Sequence, residues 1–133
     1  KVIDDDSAES VSEGDEIDYT VTAEYPYYSA DAEKKTFTAT DKLTNATFKE
    51  NSLEIKVAGV NTALVPNTDY TVNDYKNTAS LQIAFKYNPN YAGKTVTIKY
   101  TAIVGAGEGN VKMRSIKFDT DGDSVTSAKV KLL

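Results

Sequence analysis

Apolar residues recur at every second position through most of the chain. In 16–25, Ile17, Tyr19, Val21, Ala23 and Tyr25 fall on one side, with charged and hydroxyl side chains on the other. That is the signature of a strand with one buried face. The same alternation runs through 35–40, 53–57, 69–72, 81–85, 95–103, 111–118 and 128–132. Thr, Val, Ile and Tyr dominate these runs, and such residues suit pleated, half-buried positions. Turn-forming residues separate them: Gly14-Asp15, Pro26, Gly59, Pro66-Asn67, Asn88-Pro89-Asn90, Ala92-Gly93, the glycines of 105–109, and Asp121-Gly122-Asp123.

The pattern predicts seven to nine short strands and no long helix; only 29–34, after Pro26, reads as a helical turn. Strands with one apolar face each must bury those faces against one another, so an all-β sandwich is expected. Its core should include Tyr19, Val21, Phe37, Ile55, Ile83, Phe85, Ile98, Tyr100 and Val130, with Tyr25 continuing the inward face of its strand. At 133 residues the chain suits one domain, 1–133, with no internal repeat or linker.

Composition removes several chemistries. The chain has no Cys and no His, so Ser-His-Asp and Cys-His nucleophiles, thiolate redox centres and the usual zinc ligands are excluded. Fifteen Lys+Arg against 20 Asp+Glu give a net charge of −5. That balance argues against nucleic acid and against anionic membrane surfaces. No apolar run approaches the roughly 18–20 residues of a membrane span, and the opening Lys1-Val2-Ile3-Asp4-Asp5-Asp6 lacks the apolar region of a signal peptide. The chain reads as a segment of a longer protein. Absence of Cys fits the cytosol and equally fits Gram-positive surface proteins.

Four stretches, in order, carry a likeness to a known family. They are Lys1-Val2-Ile3-Asp4 followed by Gly14-Asp15-Glu16-Ile17-Asp18-Tyr19-Thr20-Val21; Phe37-Thr38-Ala39-Thr40-Asp41-Lys42-Leu43 with Thr47-Phe48; Gly93-Lys94-Thr95-Val96-Thr97-Ile98-Lys99-Tyr100-Thr101-Ala102; and Gly107-Glu108-Gly109-Asn110-Val111-Lys112 with the strand to Phe118. Together they resemble the isopeptide-forming fimbrial domain of Gram-positive pilin backbones and the similar domains of collagen-binding-type adhesins. The resemblance implies an immunoglobulin-like, Greek-key β-sandwich, outside the cell on a wall or pilus, serving as a structural or adhesive stalk. Its implied partners are neighbouring domains of the same protein or other pilus subunits, with a host protein or glycan as a possible ligand, and it implies no cofactor.

Many members of that family crosslink themselves. A Lys amine displaces ammonia from an Asn side chain while a buried carboxylic acid polarises the amide carbonyl; an apolar setting keeps the amine and the acid neutral. By resemblance, Lys1 falls at the lysine and Asp41 at the acid. The expected Asn position is occupied by Lys112, with Asn110 two residues earlier as the candidate acceptor. Without a bond, Lys1, Asp41 and Lys112 could form an ion cluster around an ionised Asp41. Such a domain reacts once with itself and is not a turnover enzyme.

Other signals have plain alternatives. The acidic loop 119–124 offers the oxygen ligands calcium takes, but it departs from the EF-hand spacing at Gly122 and Val130, and a solvated turn is expected there. Asp4-Asp5-Asp6 is read the same way, and no metal site is expected. Tyr27 and Tyr28 form a candidate ligand-binding patch. They motivate a rival reading, a carbohydrate-binding module of a secreted enzyme. No pair of carboxylates is singled out for glycosidase work, and Asn45-Ala46-Thr47 matches the glycosylation pattern by chance.

Overall fold

Alternation becomes two antiparallel sheets in the computed structural model, which describes residues 12–106 in full and, beyond them, the backbone of 112–113, 117–120, 124–126 and 129–132. Eleven strands are present among the described residues: β1 (Glu16–Glu24), β2 (Phe37–Thr44), β3 (Ala46–Phe48), β4 (Glu54–Val57), β5 (Tyr70–Val72), β6 (Ser80–Phe85), β7 (Thr95–Val104), β8 (Lys112–Met113), β9 (Lys117–Thr120), β10 (Ser124–Thr126) and β11 (Lys129–Leu132). The count exceeds seven to nine because the run expected at 111–118 is two strands, β8 and β9, and because β3 and β10 are too short to show an alternation of their own.

Each sheet is organised on one long strand. In the first, β7 pairs with β1 along nine positions, from Glu16↔Ile103 to Glu24↔Thr95. Its other edge carries β3 and β4 end to end, and β11 closes the far side of β1. In the second, β2 pairs with β6 on one side and with β9 and β8 end to end on the other, with β5 and β10 outside. The chain crosses between sheets from β1 to β2, β2 to β3, β4 to β5, β6 to β7, β7 to β8 and β10 to β11, giving an immunoglobulin-like sandwich.

The crossing from β2 to β3 turns on one residue. Asn45 has φ 60°, a left-handed conformation that Asn tolerates because its short polar side chain finds local hydrogen bonds. Its carbonyl accepts the Gly105 N–H at 2.8 Å, tying the corner to the end of β7.

All the core residues expected from the sequence are buried, Tyr25 at 1% exposure included; Val130 is the exception, since its side chain lies outside the described residues, though its backbone stands opposite Val21. Aromatic rings gather at both ends of the sandwich. Phe37 stacks on Phe85 with centroids 4.5 Å apart, and Tyr25 meets both edge-on. At the other end Tyr100 packs against Tyr19 and Phe48. Burying each large side chain contributes roughly 1.5–3 kcal/mol.

The helical turn expected over 29–34 does not form. That segment has a single turn closed by Ala32 N–H on the Ser29 carbonyl at 3.0 Å, since six residues without packing do not offset the cost of helix nucleation. A 3-10 helix forms instead at Pro89–Tyr91, where Pro89 pre-sets the first turn and the Asn88 side chain accepts the Asn90 N–H. No helix among the described residues is long and apolar enough to cross a membrane.

Candidate functional site

The one charged-type residue buried in the core, among the described residues, is Asp41, at 2% exposure. Along β2 the inward positions are Phe37, Ala39, Asp41 and Leu43, so Asp41 takes a place where the alternation calls for an apolar side chain. Its partner comes from the other sheet: the Tyr100 O–H, on β7, donates to Asp41 Oδ2 across the core. Oδ1 has no hydrogen-bond partner among the described residues.

This setting favours the neutral acid. Burial raises the Asp41 pKa from 3.8 to about 7, and the hydrogen bonds from Tyr100 and from the Lys42 backbone only partly oppose that rise. Burial also raises the Tyr100 hydroxyl well above its ordinary value, and the adjacent Asp41 adds to the shift. A protonated carboxyl can donate a hydrogen bond, which is what polarising an amide carbonyl requires.

The remaining expected site residues are less fully described. Lys1 and Asn110 lie outside the described residues, as do the side chain of Lys112 and the residues 4–6 and 121–123 of the two acidic runs. The backbone of Lys112 stands opposite Thr44, an exposed position, and Met113 stands opposite the buried Leu43. Further along, Phe118 stands opposite the buried Ala39 and Lys117 opposite Thr40. The register against β2 therefore slips by one residue between β9 and β8. Lys112 and Phe118, an even number of residues apart, pair with positions on opposite faces of β2.

Tyr27 and Tyr28 diverge. Tyr27 is 79% exposed. Tyr28 is fixed: its N–H donates to the Tyr87 hydroxyl at 2.9 Å, its O–H donates to the Thr36 carbonyl at 2.6 Å, and its ring meets Tyr87 edge-on at 5.1 Å. Both line a cleft of about 330 Å³ together with Ala30, Lys35, Tyr87 and Pro89.

Sequence reasoning found Asp41 and missed its partner. Tyr100 was legible as a core residue and as part of a strand motif, and nothing in the pattern joins positions 59 residues apart across two sheets. Lys35 and Tyr87 gave no signal as neighbours of Tyr28 for the same reason.

With this geometry in view, comparison with known proteins bears on the fold. No protein-family model matches the chain, and no curated protein does. Solved structures do. The chain is similar to the pilus backbone RrgB from Streptococcus pneumoniae, with 21% identity and a TM-score of 0.62 over 80% of this chain and 25% of that one. It is similar to the N-terminal domain of the Streptococcus gordonii adhesin Sgo0707, with 17% identity and a TM-score of 0.66 over 90% of this chain and 28% of that one. Domains D2 and D3 of the major pilin SpaD from Corynebacterium diphtheriae match at 19% identity and a TM-score of 0.62, over 90% of this chain and 47% of that one. The fold is thus the pilin-like sandwich of Gram-positive pilin backbones and adhesins, and the chain spans less than half the length of each of these three.

Proposed function

We propose that this chain is a structural or adhesive stalk domain of a Gram-positive pilus or wall-anchored surface protein, working outside the cell by bearing load rather than by turning over a substrate. What supports the reading is the pilin-like sandwich with a buried acid, Asp41, whose pKa burial raises to about 7, set into the seam between its sheets. Its partners on this reading are neighbouring domains and subunits of the same assembly.

The finer part of the proposal is a self-made crosslink. The neutral Lys1 amine attacks the Asn110 side-chain carbonyl, protonated Asp41 polarises that carbonyl, and the C–N bond to the amide nitrogen breaks. A secondary amide and one ammonia result, and Asp41 ends as it began. One observation favours this over an ion cluster: burial raises the Asp41 carboxyl to about 7, so that a protonated form is accessible near neutral pH, and its Oδ1 has no hydrogen-bond partner among the described residues.

Such a bond suits the strand order. β1 and β11 are antiparallel neighbours, with Tyr19 opposite Leu132, so tension applied between 16 and 132 would separate them pair by pair. A Lys1–Asn110 bond closes 1–110 into a loop and carries the load past β1 to β7, leaving β11, beyond Asn110, as the strand that yields first. Fractionation tests the broader role: antibodies to the domain should label intact cells and detect the protein in enzymatically released wall, and confinement to the cytosolic fraction would refute it.

A further inference from the structure

The cleft beside Tyr27 lies outside the core and plays no part in the crosslink. We infer that it is a carbohydrate site for a single pyranose ring carrying an anionic substituent. At about 330 Å³ it sits at the small end of ligand-site volumes, matching one ring rather than an extended strand of peptide.

Its walls are set before any ligand arrives. Tyr25, 1% exposed in the core, clamps the neighbouring corner: its hydroxyl accepts the Asn88 N–H at 2.9 Å and donates to the Lys86 carbonyl at 3.2 Å. Tyr87 packs on Tyr25 with centroids 5.6 Å apart, and Tyr28 packs on Tyr87. A ladder of rings thus runs from the core to the cleft. Walls held this way lose little freedom on binding, which favours a weak, small ligand.

The chemistry of the lining narrows the ligand. Aromatic rings offer apolar faces with hydroxyls at their margins, which complements a sugar: one face of C–H groups and a rim of hydroxyls. Tyr27, at 79% exposure, presents its ring to solvent at the mouth. Among the described residues, the single charged member of the lining is Lys35. Its Nζ donates to the Ala30 carbonyl at 3.3 Å, and an ammonium has three donors, so two remain for a carboxylate or sulfate. No acidic residue lines the cleft among the described residues, so the charge its lining offers a ligand is positive, which points to an anion.

The test is a titration of the ¹⁵N-labelled chain with the methyl glycosides of N-acetylneuraminic acid, glucuronic acid and glucose, and with a proline-rich peptide. Both or either of the anionic glycosides should bind saturably, with Kd on the order of millimolar for one ring, and shift the amides of 26–36 and 87–89. The neutral glucoside should bind roughly three- to fivefold more weakly, the worth of one exposed ion pair. Lys35→Gln should remove that preference without touching the neutral sugar, and Tyr27→Ala, at a position too exposed to matter for folding, should weaken every sugar roughly tenfold. Absence of saturable binding by both anionic glycosides, shifts elsewhere on the sandwich, indifference to Tyr27→Ala, or binding of the peptide alone would overturn the inference.

Discussion

Asp41 and Tyr100 stand on opposite sheets and share a hydrogen bond through the core, the Tyr100 hydroxyl donating to Asp41 Oδ2. A polar pair in an otherwise apolar seam fixes how the two sheets sit on each other, because any slide that parts them leaves two buried polar groups to be desolvated for nothing. Removing one partner is therefore informative. Tyr100→Phe should destabilise the domain by about 1–3 kcal/mol in urea unfolding at neutral pH. It should also push the Asp41 pKa above about 7, since the hydrogen bond that opposes the effect of burial is gone. A carboxyl resonance titrating lower in the variant would contradict this.

The raised Asp41 pKa sets a pH dependence of unusual sign. The folded protein holds the proton up to about pH 7, while the unfolded chain releases it near 3.8. Between those values the native state binds more protons, so this residue's contribution to stability is complete below about pH 4, falls as pH rises towards 7, and is flat above. The span is about 3 pKa units, or about 4 kcal/mol. Urea midpoints at pH 4, 5.5 and 7.5, with the Asp41 carboxyl followed by ¹³C NMR, should show the decline and a titration near neutrality. Stability that rises through this window together with a carboxyl titrating near 4 would refute the assignment.

Asn45 governs the crossing from β2 to β3 through its φ of 60°. Asn45→Gly should change stability by no more than a few tenths of a kcal/mol, because glycine adopts this conformation freely. Asn45→Val should cost about 1–2 kcal/mol, the penalty for a branched side chain in the left-handed region. Equal effects of the two substitutions on the thermal midpoint would mean that the corner does not depend on its backbone conformation.

Ile98 lies at the middle of β7, opposite Val21 on one side and Ile55 on the other, with no exposure. Ile98→Ala leaves a cavity between three strands that cannot collapse without bending the longest of them. The expected loss is about 2–5 kcal/mol by chemical denaturation; a loss under 1 kcal/mol would show that this part of the sheet repacks easily.

Much of this fold was legible because period-two alternation is a direct record of which side of a strand is buried; β1, β4, β6 and β7 lie within a residue or two of where Ile17, Ile55, Ile83 and Ile98 put them. The corner at Asn45 was less so: the inward positions shift phase there, from Phe37, Ala39, Asp41 and Leu43 to Ala46 and Phe48, but a phase shift alone does not say that the chain changes sheets. Asp41 could be found by its place in a motif, and its burial makes physical sense of that place. Tyr100 as its partner, and Lys35 and Tyr87 beside Tyr28, are products of tertiary packing between segments far apart in the chain. The run at 111–118 was not legible as two strands, because the alternation does not mark the one-residue slip in register against β2 that separates β9 from β8.

The most direct test of the self-crosslinked stalk is the intact mass of the purified domain under denaturing conditions, for the native sequence and for Asp41→Ala. The native chain should be lighter than its sequence requires by one ammonia, with a proteolytic fragment joining Lys1 to Asn110, and the Asp41→Ala chain should show no deficit. A native chain at its full calculated mass would contradict the crosslink and leave the sandwich to hold by packing alone.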